Sequence, residues 1–463
     1  MTLSHASPVA RPTHIRYVVV LFLCILAFLS YFDRVCIAGV QVAIKHDLFN
    51  HSAIWGSPEQ QMGVIMGVFW LAYALFEMPG GWMGDRYGAR SSLTRVVLAW
   101  SIFTALSGVA VGFYSLLIYR FLFGVGEAGA FPIMARVQSR WLPASAQGRV
   151  SGVLWLVARW GGALSLPLFG MLLRRFQSPG FQTFANGVPL LHGLAGGHEW
   201  RLGFWVCGLA GVAWVAFFYP WYRDNPADNP SVNQAELDLI TAGKRPKAHA
   251  VHDRKIWAAL FTSPSMWGLA MLYVFGSFGF SFFITYVPEY FSTQAKIDIK
   301  SREWMSAAPL LCGGVTCLIG GILSDLIARR LGRKRFARAI FPIAGHLVAA
   351  IAIFCLRYVH SANEAVILLC ITMGAYDFGL GSKWAAIIDV GGRHAGLAAG
   401  FVNMVGNLGG NCLQPVMKPW IVSHFGWSRL FSVYAAMYIL AALCWIFIHP
   451  DRHFYPESDP DAH

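Results

Sequence analysis

Gly80-Gly81-Trp82-Met83-Gly84-Asp85-Arg86-Tyr87-Gly88-Ala89-Arg90 closes an apolar run that begins near residue 62. The glycines read as the end of a helix followed by a tight turn. That turn presents an Asp and two Arg beyond the apolar stretch. The arrangement returns in Gly320-Gly321-Ile322-Leu323-Ser324-Asp325-Leu326-Ile327-Ala328-Arg329-Arg330-Leu331-Gly332-Arg333-Lys334-Arg335. Each copy has paired glycines, an Asp four residues after the second, and then a Gly beside basic residues. Each also follows the second apolar run of its half of the chain. Nothing local requires that symmetry, but a duplicated six-helix unit does.

Composition agrees. Of 463 residues, 56% are hydrophobic and only 13% charged, where a soluble domain carries about 25% charged residues. Apolar runs of about 20 residues recur along the chain, enough for twelve membrane-spanning helices. The expected fold is therefore an all-α polytopic membrane protein of two pseudo-symmetric six-helix bundles. Residues 1–222 form the first bundle, 223–260 a polar linker and 261–463 the second bundle with a short tail. The formal charge is +13, but the basic residues sit in short loops between apolar runs. That is the positive-inside pattern of a membrane protein and not a nucleic-acid surface. It puts both termini in the cytoplasm. The nine cysteines fall in or at the ends of apolar runs and read as small apolar residues. No His/Asp cluster, Ser/His/Asp set or nucleotide loop is present, so the sequence asks for no metal or cofactor and does not read as an enzyme.

The chemistry is in the charges that the apolar runs carry. Each costs roughly 2.5–3.5 kcal/mol at helix centre on insertion scales. In Tyr119-Arg120-Phe121-Leu122-Phe123-Gly124-Val125-Gly126-Glu127-Ala128-Gly129-Ala130-Phe131-Pro132, Arg120 and Glu127 are two helical turns apart and share a face. Tyr31-Phe32-Asp33-Arg34 lies near the middle of the first run. Adjacent residues point about 100° apart on a helix, so Asp33 and Arg34 need not pair with each other. A buried Asp near a movable Arg is a proton site. Arg159, beside Trp160-Gly161-Gly162, reads either as a binding residue or as the partner of a carboxylate elsewhere. Asp377 and Lys383 are further charges in the tenth run. Lys383 is near enough to the helix end to snorkel. Asn403, Asn407 and Asn411, spaced by four, form a polar stripe, with Gly406, Gly409 and Gly410 placed to let the backbone open.

These residues together resemble the major facilitator superfamily, whose signature loop Gly84–Arg90 matches well. Within it, Tyr31-Phe32-Asp33-Arg34, Arg120 with Glu127 and Pro132, Trp384 and Asn403-Met404-Val405-Gly406-Asn407 are similar to the anion:cation symporters. That group includes bacterial galactonate and hexuronate permeases, sialin and the vesicular glutamate transporters. The resemblance implies proton-coupled uptake of an organic anion, a sugar acid first, by alternating access. Asp33 and Glu127 match its protonatable carboxylates, and Arg34 and Arg120 its cavity arginines. Tyr73, Trp384 and Asn403 match substrate contacts, with Asn407 a further donor to sugar hydroxyls. Asp85, Arg86, Arg90 and Asp325 would form a cytoplasmic gate. The expected setting is a bacterial inner membrane, as a monomer whose partners are the anion, protons and lipid. A facilitator or exchanger indifferent to pH shares the same fold. Lys383 departs from the pattern, since a neutral residue usually stands beside the matched Trp. If Lys383 and Arg159 face the cavity, the ligand carries more than one negative charge.

Overall fold

The structure is a computed structural model. It describes residues 11–49, 56–143, 147–188, 198–241, 254–293, 299–331, 334–359, 361–391 and 395–455. The described residues are helical with short connections and contain no strand. The first half runs through α1 (Ile15–Leu48), α2 (Pro58–Tyr87), α3 (Ala89–Ser107), α4 (Phe113–Glu127), α5 (Ala130–Trp141), α6 (Gln147–Phe176), the short α7 (Pro179–Asn186) and α8 (Glu199–Trp221). Short helices α9 (Gln234–Thr241) and α10 (Arg254–Thr262) lie between the halves in sequence. The second half comprises α11 (Pro264–Thr285), α12 (Val287–Thr293), α13 (Ile299–Leu331), α14 (Lys334–Cys355), α15 (Ala362–Phe378), α16 (Leu380–Gly391) and α17 (Ala395–Gly406). A π-helical segment, Asn407–Cys412, then leads into α18 (Leu413–Leu443).

Nine stretches among the described residues are long and apolar enough to cross a membrane. The last, Leu397–Ile446, has 50 residues, far more than the roughly 20 that one crossing needs. Gly426, with φ 74° and ψ 171°, breaks it into two antiparallel crossings. With that division, and with α2 and α3 added, the crossings among the described residues number twelve, as the sequence predicts. An even number returns the chain to the side on which it began, called here the terminal side.

The glycine pairs of the repeated motif do not end their helices. α2 continues to Tyr87 and α13 to Leu331. A Cβ on Gly80 would lie 2.5 Å from the Cα of Gly129, and one on Gly84 2.6 Å from Ile133. In the second half, a Cβ on Gly381 would lie 2.9 Å from the Cα of Gly321, and Gly320 meets the carbonyl of Phe378. The paired glycines are therefore places where one helix backbone lies on another, as small residues permit in membranes. Both partner crossings break beside the contact, between α4 and α5 and between α15 and α16. The sharp turn comes later. Gly88, at φ 83°, ends α2 and precedes α3 in a left-handed conformation that glycine adopts without penalty. Asp224 then accepts from the backbone N–H groups of Ala89 (2.7 Å) and Arg90 (3.1 Å), capping the start of α3.

The start of α1 is fastened in the same manner. The Glu236 carboxylate on α9 accepts from the backbone N–H groups of Ile15 (2.9 Å) and Arg16 (3.0 Å), the Arg16 guanidinium (3.0 Å) and the Thr13 hydroxyl. Burial alone would raise the Glu236 pKa, but these donors outweigh it and hold the carboxylate below its ordinary range.

Within the halves, α1 lies along α6, α2 along α4, α3 along α8, α13 along α15 and α14 along α18. Between them, α6 lies along α13 and α2 along the π segment and α18. The side away from the termini is bound across the halves. The Gln41 amide donates to the Thr285 carbonyl at 2.5 Å, and Arg174 reaches both carboxylate oxygens of Glu303 at 2.9 and 2.8 Å. Gly63 and Gly67 lie against the carbonyls of Pro415 and Cys412.

Of the expected gate residues, the side chains of Asp85 and Asp325 lie outside the described residues. Arg86 is exposed, with its guanidinium 5.9 Å from the Tyr87 ring. The Arg90 Nε donates to the Tyr219 carbonyl at 2.8 Å, and the guanidinium lies 4.4 Å from the Tyr219 ring, so Arg90 joins α3 to α8 within the first half.

Candidate functional site: two charge centres flanking Tyr31

α1 and α4 build the first centre. Ser30 and Arg34 are one helical turn apart on α1 and face Glu127 at the end of α4. The Arg34 Nε donates to Glu127 Oε1 at 2.8 Å, and the Ser30 hydroxyl donates to the same oxygen. Both charged side chains are removed from solvent, at 4% and 0% exposure. Aromatic rings enclose the guanidinium, with Tyr73 at 4.5 Å, Tyr31 at 5.1 Å, and Trp70 and Phe131 at 5.6 Å. Desolvation of this kind strengthens a charge-assisted bond and makes an unpaired charge costly.

Asp33 and Arg120, also buried, form a looser association. Each is among the other's charged neighbours, with Cys36 and Cys207 alongside. They make no ion pair among the described residues. Asp33 Oδ1 and the Nε and Nη2 of Arg120 have no hydrogen-bond partner. Arg120 instead packs on the rings of Phe123 (5.1 Å) and Phe204 (5.5 Å). Between Arg34 and Arg120 lies a cavity of about 10 Å³, bounded by Ile284 and Thr285 of α11. That is room for about one water molecule. In this conformation the space beside the two arginines is closed.

The second centre spans the halves. Arg159 of α6 donates through Nη2 to Asp377 Oδ1 of α15 at 2.9 Å, and its Nε stands 2.9 Å from Oδ2. Asp377 is thus the carboxylate partner that the sequence left open for Arg159. The guanidinium lies 4.1 Å from the Phe280 ring and 6.0 Å from that of Tyr31. The sequence allowed Lys383 to snorkel, but the structure does not. Its residue is 2% exposed, and its Nζ lies 3.9 Å from the Tyr376 ring, with Asp377 and Arg159 as charged neighbours.

The remaining expected residues border these centres. The Trp384 ring is 6.0 Å from Trp155 of the first half and 6.2 Å from Tyr273. The asparagine stripe divides. The Asn403 amide donates across the halves to Glu77 Oε1 at 2.6 Å, while Asn411 donates to Asn407 Oδ1 at 2.8 Å. Gly406, Gly409 and Gly410 lie against a neighbouring helix. They admit Tyr273, Val274 and Ser277 of α11, and the backbone widens there into the π segment, a form often found at functional sites. Ser30, Tyr31 and Glu77 were not assigned roles from sequence. Ser30 and Glu77 each stand one turn from a singled-out residue, Arg34 and Tyr73 respectively, and that is the signal that could have found them.

Long apolar helices in two packed halves, with buried ion pairs within and between them, make a multi-pass membrane protein. The chain belongs to the Major Facilitator Superfamily, which it matches over residues 23–412. It is 28% identical to the probable sulfoacetate transporter of Cupriavidus necator, over 94% of each chain. It is also 28% identical to the probable galactarate/D-glucarate transporter of Bacillus subtilis, over 94% of this chain and 92% of that one. The hexuronate transporter of Bacillus subtilis is 25% identical over 93% of this chain and 94% of the relative. These relatives fit the anion:cation symporter group that the motifs resemble, a group of transporters and not of enzymes. Among solved structures, an inward-facing, unoccupied bacterial homologue of the lysosomal transporter Spinster aligns with a TM-score of 0.71 and 21% identity, over 94% of this chain and 95% of that one. A D-xylose–proton symporter aligns at 0.70 and 17%, over 94% and 98%. At such identities these two speak for the fold alone.

Proposed function

We propose that this chain is a secondary active transporter that brings an organic anion, a sugar acid first among candidates, into the cell together with protons. The observation that carries the reading is the buried Arg34–Glu127 pair with its Ser30 donor. A proton on Glu127 removes the negative partner and leaves the Arg34 cation buried and unpaired. Leaving a buried ion without its partner costs about 3–5 kcal/mol. An incoming carboxylate relieves that cost through a two-pronged contact with the guanidinium. Proton binding and anion binding therefore favour each other, and the linkage is reciprocal. Asp33 beside Arg120 gives a second, looser site of the same kind.

Residues 1–222 and 261–463 act as the two rocking bodies, joined by the 223–260 linker. Asp85, Arg86, Arg90 and Asp325 act at the terminal side, where closure breaks and reforms. Tyr73, Trp384, Asn403 and Asn407 contact the sugar, by hydroxyl hydrogen bonds and by stacking. The basic loops favour both termini in the cytoplasm, and the bacterial relatives favour a bacterial inner membrane, where the chain would work as a monomer in lipid.

The test is uptake of a panel of sugar acids into proteoliposomes with and without an imposed inward proton gradient. Wild type and Glu127→Gln are run in parallel. Wild type accumulates its substrate only with the gradient, and Glu127→Gln loses accumulation while still exchanging substrate. Uptake indifferent to the gradient would instead make the protein a facilitator or exchanger.

A further inference from the structure

The inter-half centre does not balance its own charge. Arg159 and Lys383 bring two cations, and Asp377 is the carboxylate that faces them. Asp377 accepts a hydrogen bond from Arg159 through Oδ1 at 2.9 Å, and its Oδ2 stands 2.9 Å from the Arg159 Nε as an ion contact without a hydrogen bond. The Lys383 ammonium makes no ion pair or hydrogen bond among the described residues. The nearby His346 turns its Nδ1 to the Pro342 carbonyl of its own helix. Glu77, the other buried carboxylate at the boundary between the halves, is held by Asn403, and its charged neighbour is Arg34.

What Lys383 does have is the Tyr376 ring at 3.9 Å. A desolvated cation–π contact is worth about 2 kcal/mol, whereas the effective cost of taking an ion out of water into a protein interior is several kcal/mol. The ring does not offset the burial. A buried cation left over after the ion pairs are made is a place for an anion that the chain itself does not supply.

Distance brings this place close to the first centre. The Tyr31 ring has the Arg34 guanidinium at 5.1 Å and that of Arg159 at 6.0 Å. The two guanidiniums are therefore no farther apart than the sum of those lengths. One small extended molecule is long enough to span both guanidiniums once the space beside them opens. Trp384, adjacent to Lys383 in sequence, has its ring 6.0 Å from Trp155, which is in turn 6.5 Å from the Tyr31 ring.

We infer that Lys383 forms a second anion subsite and that the transported molecule is a dianion, anionic at both ends. One end meets Arg34 and Arg120, and the other meets Lys383 beside the Arg159–Asp377 pair. This rests on the organic-anion reading above and names the substrate class within it. Two protons entering with a dianion add no net charge to the loaded centre.

The probes are a six-carbon sugar diacid and the matching monoacid that lacks one terminal carboxylate. Binding to purified wild type, Lys383→Gln and Lys383→Arg is followed by tryptophan fluorescence, and uptake of both probes is followed in proteoliposomes. Wild type is expected to bind the diacid at least tenfold more tightly than the monoacid. In Lys383→Gln that ratio collapses toward one, and in Lys383→Arg it survives, which separates lost charge from lost folding. The inference is overturned if wild type does not prefer the diacid, or if the ratio is the same in Lys383→Gln. Binding is read without any gradient, so failure of proton coupling leaves this test intact. Conversely, gradient-driven uptake of the monoacid with an unchanged ratio would sink the subsite alone.

Discussion

At residue scale, the buried charges are arranged as pairs and as remainders. Arg159 and Asp377 pair across 218 positions of sequence. Neither residue announces the other, because each sits in an apolar run with no charged neighbour one turn away. The sequence could identify both as out of place but could not join them. Arg34–Glu127 was legible in part: both residues stood out as membrane charges, but helical spacing put Glu127 on a face with Arg120, whereas its partner is Arg34 of another helix. The looser Asp33–Arg120 association was not, because it depends on how far the Phe123 and Phe204 rings draw the guanidinium aside. The Arg159–Asp377 pair should behave as a unit. Arg159→Gln or Asp377→Asn alone leaves a buried charge unmatched and is expected to cost about 3–5 kcal/mol. The double variant is expected to recover part of that loss, giving a coupling energy of about 0.5–3 kcal/mol. Unfolding of the four proteins in lipid nanodiscs would measure it.

At the scale of elements, the helices are set by hydropathy and their contacts by glycine. The positions of the crossings were legible because runs of apolar residues long enough to span a bilayer have few alternatives. Helix ends were less so. The glycines of the repeated motif suggested termination, yet both helices run through them, because a glycine facing a neighbouring backbone stays helical when the packing holds it. The π segment at Asn407–Cys412 was hidden for a related reason, since its widening accompanies the seating of α11 against Gly406, Gly409 and Gly410. Gly161 offers a clean test of the same principle. A Cβ there would stand 2.5 Å from the Phe28 carbonyl and 2.8 Å from its Cα, while one on Gly112 would meet nothing within 4 Å. Gly161→Ala is expected to lower the yield of monodisperse protein severely, as overpacking at a backbone contact costs about 1–3 kcal/mol or more. Gly112→Ala should leave that yield near wild type. Fluorescence-detected size exclusion compares them directly.

Over the whole molecule, the two halves touch through few polar links among the described residues, and their distribution sets what can move. On the side away from the termini, Gln41–Thr285 and Arg174–Glu303 join the halves, with α2 seated on α18 beside them. Nearer the middle come Arg159–Asp377 and Asn403–Glu77. Transport by rocking requires the outermost of these to part. With the native cysteines replaced, cysteines at positions 174 and 303 joined by a short reducible linker should abolish uptake, and reduction should restore it. Full uptake by the linked protein would show that this side never opens during the cycle. The duplication of six helices was legible from the repeated motif, whereas the placement of these links was not, since it depends on which helix faces meet. The Glu236 clamp on α1 has a different consequence, one of timing. The ribosome makes Ile15 and Arg16 early, but the carboxylate that fastens them is made 220 residues later, after six crossings have been synthesised. The beginning of the chain is therefore among the last parts of the first half to be secured, and its early crossings must hold their places unaided until the linker emerges.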